Sequence, residues 1–191
     1  MPTRPISVSG NPTRGSSTAL VSAIEYTDFE CPYCAVMANG SLKQFLTEYV
    51  DSGKVLFVVK NLPLPMHRMA PRAATMALCA GEQGKYWEMH DLLFASNGRL
   101  VERDLEGLGG QLGVALPAYR SCLESDRPLV VLNTDKAEAA DLTIKSTPTF
   151  VFGIRQGDGR IKATDVLIGA QPIEELRAVV DKRLKEAAQP R

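Results

Sequence analysis

Residues 25–40 read EYTDFECPYCAVMANG, and the two cysteines inside that stretch, Cys31 and Cys34, decide how the rest of the chain is read. The residues before them, ALVSAIEYTDF, are almost continuously apolar, as in a strand buried on both faces. After them, Val36, Met37, Leu42, Phe45, Leu46 and Tyr49 recur with a mostly helical period, interrupted at Gly40, which marks a kink. A helix beginning at Pro32 puts positions i and i+3 on one side, close enough for a disulfide. Proline suits a first helical position, because the N–H it lacks would have no partner there. Cys31 then lies beside unpaired backbone N–H groups at the positive end of the helix dipole, which favours thiolate over thiol. Cys34, one turn in, should be more buried and less acidic. Cys31 would exchange with an outside sulfur, and Cys34 would resolve the mixed disulfide.

A metal clip and a structural staple compete with that reading. Zinc needs two further ligands, commonly a second short-spaced pair. The remaining cysteines, Cys79 and Cys122, stand alone in helical segments, as do His67 and His90, so no second clip exists and no metal is expected. A staple across so short a loop gains little from closure.

Outward from this stretch, residues 6–9 and 20–29 read as strands joined by the turn-forming GNPTRGSS, and KVLFVVK as a third strand. Strand, helix, strand in this order implies parallel pairing with a right-handed crossover. NLPLP ends that unit. From about 66 to 143, helix-length amphipathic blocks cover roughly 68–81, 84–95, 102–112, 116–124 and 127–141. TPTFVFGI restores strand character, GDG turns into RIKATDVLIG, and Pro172 opens a terminal helix to about Ala188. The expected fold class is α/β: a mixed sheet flanked by helices, carrying an inserted all-helical subdomain. The expected division is an N-terminal extension with a short strand (1–14), a core from 15–62 and 145–191, and the helical insertion 63–144.

The chain's 191 residues fit one domain with a large insertion. Its 22 basic and 22 acidic residues cancel, and no long run of one sign suggests a nucleic-acid or anionic-membrane partner. The longest apolar runs are far too short to span a bilayer. MPTRPISVSGNPTRG, at the start, contains no hydrophobic block and does not read as a signal peptide as written.

CPYC after a strand, the helical block with ALCAGEQGKYWEMHDLLF, the STPTF segment, the hairpin and the terminal helix together resemble the DsbA-like thiol–disulfide oxidoreductase family. The similarity runs from about 15 to 188. It implies a thioredoxin fold acting on protein cysteines, with Cys31 as nucleophile and Cys34 as resolving thiol. It further implies that Thr147-Pro148 forms a cis-proline loop against the dithiol, where the Thr147 backbone pairs with an extended substrate as an added strand. Pro32, Tyr33, Thr147 and Pro148 are thus the expected substrate-binding residues. Glu25 sits inside an apolar strand, so an acid there should be buried with a raised pKa; it matches the buried acid of that fold and would relay the Cys34 proton. The competing reading is an edge carboxylate paired with a surface lysine such as Lys60, while Asp28 reads as a surface or capping residue.

Cys79 and Cys122 are either two buried hydrophobes or a structural disulfide across the insertion; an oxidising compartment favours the bond. His67 and His90 read as structural, Trp87 and Phe94 as helix packing. Met66, Met69, Met76 and Met89 read as core, with Met66 and Met69 alternatively an apolar rim for unfolded substrates. No cofactor is expected. The expected partners are cysteine-containing substrate proteins and a redox partner that recycles Cys31–Cys34, with the chain a monomer. The resemblance implies an extracytoplasmic (periplasmic or secreted) site; the alternative is cytoplasmic. An oxidase is preferred to an isomerase or reductase, since proline after Cys31 leaves the thiolate to helix-end N–H groups and no dimerisation module precedes the fold. A glutathione-dependent transferase or isomerase on the same fold, which would not need both cysteines, is a second class, and a non-catalytic binding protein a third.

Overall fold

The apolar run becomes strand β2 (Val21–Thr27), all seven of whose residues are buried. In the computed structural model, which describes residues 4–188 (side chains of 102–106 aside), β2 is the centre of a five-stranded sheet of order β1-β3-β2-β4-β5. Strand β3 (Val55–Asn61) runs parallel to it, as the intervening helix requires, with Glu25 opposite Val59. β4 (Thr149–Arg155) lies antiparallel on the other side, with Glu25 opposite Phe150. β5 (Ile161–Ile168) closes a hairpin with β4, and two-residue β1 (Thr13–Arg14) edges the sheet against β3.

The strand expected over residues 6–9 does not form. Ile6 makes only an isolated antiparallel bridge to Ile161. The edge pairing falls instead within GNPTRGSS, which had read as a turn. The Pro12 carbonyl accepts from the Val59 N–H at 3.0 Å, and the Asn11 side chain is held by Lys60 and Asp135, so tertiary partners extend this segment against its turn propensity.

The helix after CPYC breaks at Gly40 into α1 (Pro32–Asn39) and α2 (Ser41–Phe45). A π turn follows over Leu46–Val50, closed by the Asp51 N–H on the Leu46 carbonyl at 2.8 Å. The helical block comprises α3 (Ala70–Gly81), α4 (Tyr86–Ala95), α5 (Glu102–Gln111), α6 (Leu116–Leu123) and α7 (Arg127–Asp141). Helix α8 (Ile173–Ala187) ends the fold, with Pro172 as its N-cap rather than inside its first turn.

Strand alternation sorts the side chains into two cores. Val21, Ala23, Val55, Phe57, Val59, Phe150 and Phe152 join Cys34, Phe45, Met89, Phe94 and Leu176 in the larger core. Ile24, Tyr26, Leu56, Val58 and Val151 face the other way, toward Ile6 and Ala139. Each fully buried Phe or Val adds roughly 1.5–3 kcal/mol of transfer free energy. Glu25 lies on the first face and Lys60 on the second, so the alternative pairing of these two residues does not occur. Lys60, 1% exposed, bonds Asp135 at 3.3 Å and Glu138 at 2.9 Å beneath α7.

Candidate active site

The β2-to-α1 junction is fixed by two acids that the sequence left unassigned or misplaced. Asp28 is buried, not a surface group, and it caps no helix but closes the turn ahead of α1. One carboxylate oxygen accepts the Glu30 N–H at 2.8 Å, while the other accepts the Leu64 N–H at 2.7 Å and meets His67 Nδ1 at 2.8 Å. Glu30 reaches across to accept the Met69 and Ala70 N–H groups at 2.7 and 3.1 Å, capping α3. These bonds tie the dithiol turn to the loop before the helical block. Gly98, after α4, closes the other side: its φ is +79°, and a Cβ there would sit 2.7 Å from the Glu30 carbonyl. No pattern in the sequence marks that approach.

Cys31 is the N-cap of α1, and its carbonyl accepts the Ala35 N–H at 3.1 Å. Both thiols are buried, Cys31 at 4% exposure and Cys34 at 0%. The Thr147–Pro148 peptide bond is cis, and the Thr147 carbonyl accepts from Cys31 Sγ at 3.5 Å. The Pro148 carbonyl is held by the Gly169 N–H at 2.7 Å, which anchors the loop to the end of β5.

Electrostatics separate the two sulfurs. A hydrogen bond from the Cys34 thiol, opposed by burial, then the Thr147 side chain and the Cys34 and Tyr33 N–H groups, lower the Cys31 pKa from 9.0 to about 5. The helix-end N–H groups thus contribute, but the neighbouring thiol contributes more. Burial, then that same bond and the nearby Glu25, push Cys34 well above its ordinary value. Glu25 is fully buried between Val59 and Phe150, and burial raises its carboxyl from 4.5 to about 8. The Thr27 side chain offsets only part of this, and neither Glu25 oxygen has a well-formed hydrogen bond among the described residues.

Around the dithiol, Tyr33 and Val36 on α1, Met66 and Ile168 expose 63–71% of their surface. Met69 is partly buried, while Met76 and Met89 are core. His67 is engaged by Asp28; His90 is buried against Phe29 and Phe94, with Nδ1 on Asp91 at 2.9 Å. Trp87 stacks near Phe57 and Phe94 near Phe29, as packing residues do. Cys79 and Cys122 form a disulfide joining α3 to α6. Among the described residues, no group of three or more His, Cys, Asp or Glu is arranged to hold a metal ion.

Known structures share this architecture over nearly the whole chain. Wolbachia pipientis α-DsbA1 is 20% identical, covers 95% of this chain and 94% of its own, and superposes with a TM-score of 0.82. BdbD from Bacillus subtilis, in its oxidised form, is 19% identical over 95% of this chain and 96% of its own, with a TM-score of 0.76. Pseudomonas aeruginosa DsbA2 is 25% identical over 94% and 97%, with a TM-score of 0.71. The fold is therefore that of the DsbA-like structures, and the paired thiols stand at its strand-to-helix turn. A thioredoxin family model matches residues 7–182, and the chain belongs to that family. Curated relatives matching by sequence include a Na⁺/H⁺ antiporter NhaA 1 from Salinispora arenicola, 38% identical over 157 residues, or 81% of this chain. The chain spans 23% of that protein's length, and likewise 23% of an NhaA 3 from Salinispora tropica, to which it is 37% identical.

Proposed function

We propose that this chain is a dithiol oxidase that introduces disulfides into substrate proteins. The observation that carries the reading is the split between the sulfurs: an acidic Cys31 beside a cis-proline loop and a high-pKa Cys34 beneath it. A Cys31 thiolate stabilised at neutral pH is a good leaving group and favours the reduced form of the pair, which makes its disulfide oxidising.

In the forward half-reaction a substrate thiolate attacks Cys31 Sγ of the Cys31–Cys34 disulfide. The Cys31–Cys34 bond breaks, and Cys34 takes the electron pair and then a proton from the Glu25 carboxyl. A second substrate thiolate attacks the substrate sulfur of the mixed disulfide and expels Cys31 as thiolate. The substrate loses two electrons and the dithiol gains them. A recycling partner's disulfide then accepts them through Cys31, with Cys34 resolving. The Thr147 backbone offers an extended substrate strand its pairing, and Pro32, Tyr33, Pro148 and the exposed Val36, Met66 and Ile168 form an apolar rim for unfolded chains.

An extracytoplasmic site accords with the Cys79–Cys122 bond, since structural disulfides persist where the surroundings are oxidising. The antiporter names of the curated relatives fit the three-quarters of those proteins that this chain does not match, because no described helix here is long and apolar enough to cross a membrane. In any longer protein of that kind, we place thiol exchange in this unit, with residues 63–144 as the insertion over its core.

Equilibration with glutathione redox buffers, together with oxidation of a reduced, unfolded dithiol protein, tests the reading. An oxidase has a potential well above that of thioredoxin, about −270 mV. A value at that reducing end would convert the assignment to a reductase. Turnover surviving Cys34→Ala would instead support a glutathione-dependent transferase.

A further inference from the structure

A substrate or recycling partner bonded to Cys31 covers the side of the dithiol beside the Thr147–Pro148 loop, yet Cys34, itself fully buried, must still exchange a proton with water. The structure offers a route on the far side. Glu25 Oε1 and Oε2, Thr27 Oγ1 and Tyr86 Oη are all buried, and none has a hydrogen-bond partner among the described residues. Buried polar groups are costly to leave unpaired, so a cluster of them suits internal water, which typically makes about three bonds. Glu25 and Thr27 share one face of β2, and Tyr86 opens α4, the helix packed on α1. A charge on Glu25 acts on both the Tyr86 phenol and the Cys34 thiol, so the three lie in one electrostatic neighbourhood. The Tyr86 ring also forms part of the wall of a cleft of about 480 Å³, together with Asn11, Pro12, Leu78, Trp87 and Pro128.

We propose that Tyr86 is a positioning residue for thiol exchange, the outward step of a proton path running from Cys34 through Glu25 and internal water to the cleft beside α4. The path rests on the roles given above to Cys34 and Glu25. During recycling, Glu25 first sends its own proton outward and, as carboxylate, then takes the proton of the Cys34 thiol while that sulfur attacks Cys31 Sγ. The bond between Cys31 and the partner's sulfur breaks, and the electron pair leaves on that sulfur. The Glu25 proton passes through water to a lone pair of Tyr86 Oη while the hydroxyl's own hydrogen moves to a further internal water on the way to the cleft, so the phenol never ionises. During substrate oxidation the same path runs inward and refills Glu25. The other groups facing this set are Cys31 on α1, His90 on α4 (ring centre 6.2 Å from that of Tyr86) and Asp135 on α7, itself paired with Lys60.

Reduced protein mixed with an aromatic disulfide that releases a coloured thiolate reports both sulfurs. The first release is attack by Cys31, the second is resolution by Cys34. Rates are followed from pH 5.5 to 9 in H₂O and D₂O. For Tyr86→Phe, which keeps the ring, the first phase should stay within about twofold. The second should slow roughly tenfold or more, with a larger solvent isotope effect, toward the low end of what positioned proton transfer contributes. Glu25→Gln should slow the second phase at least as much, and the double variant no further, because both act on one path. A second phase slowed by Glu25→Gln but not by Tyr86→Phe overturns the Tyr86 step and leaves the Glu25 role standing. A second phase indifferent to both removes the Glu25 role as well. Equal slowing of both phases by Tyr86→Phe, with a lowered melting temperature, also overturns the proposal, since packing alone would then account for it.

Discussion

At the scale of the residue, the proposed chemistry depends on three ionisable groups that sit within a few positions of one another in the sequence but receive different environments. Cys31 is acidified chiefly by its partner thiol, so alkylation of reduced protein by iodoacetamide should follow a titration with its midpoint near pH 5. A midpoint at the ordinary cysteine value, near 8.5, would remove the basis of the oxidase reading. Glu25 has the opposite sign. Its folded-state pKa of about 8 exceeds the unfolded value of 4.5, so the folded protein holds a proton that the unfolded chain has lost. Stability therefore falls as pH rises between those two values, by up to about 1.4 kcal/mol per unit, and levels off above the folded pKa. Urea unfolding of the oxidised protein, in which neither active-site thiol titrates, should show that slope, and Glu25→Gln should flatten it. Equal slopes in the two proteins would mean that Glu25 ionises normally. The burial of Glu25 was legible from its apolar strand; the identity of the donor to Cys31 was not, because that depends on how two side chains are turned.

At the scale of the element, the boundaries of α3 through α7 follow the amphipathic period closely, since a helix largely satisfies its own backbone and its local sequence can define it. The short edge strand did not, because two residues of β1 owe their conformation to β3. The Cys79–Cys122 bond is the element-scale device with a measurable consequence. It joins α3 to α6 across 43 residues of sequence, for which the loop-entropy model gives roughly 4 kcal/mol. Replacing both cysteines with Ala should lower the unfolding free energy measured in urea by a large part of that amount. The Cys31 alkylation profile should not move, because neither cysteine touches the dithiol. A shifted profile would show that the insertion, through Glu30 and Gly98, sets the electrostatics of the site.

At the scale of the whole molecule, the sheet separates a reactive face from a structural one. The structural face depends on Lys60, whose ammonium is shared by Asp135, Glu138 and Asn11, while Tyr26 donates to Glu138 at 2.8 Å. This network fastens β3, α7 and the N-terminal segment to one another. Lys60→Met leaves Asp135 buried without its cation and should cost about 3–5 kcal/mol in urea unfolding. The Cys31 profile should remain as in the parent, since the sheet lies between them. A loss under 1 kcal/mol would mean that water or the Asn61 backbone N–H compensates for the lysine.

The sequence by itself determined the strand-CPYC-helix order, the parallel crossover, the extent of the helical block and the burial of Glu25. Each follows from hydrophobic period, turn chemistry or proline geometry over a few neighbouring residues. Only the tertiary structure decided that Asp28 and Glu30 hold segments some 40 residues away, that Lys60 turns from Glu25 toward α7, and that the buried Tyr86 phenol lies within the field of Glu25. Those outcomes come from packing between segments distant in the chain, where burial and hydrogen-bond demand choose the partner and no local spacing encodes the choice.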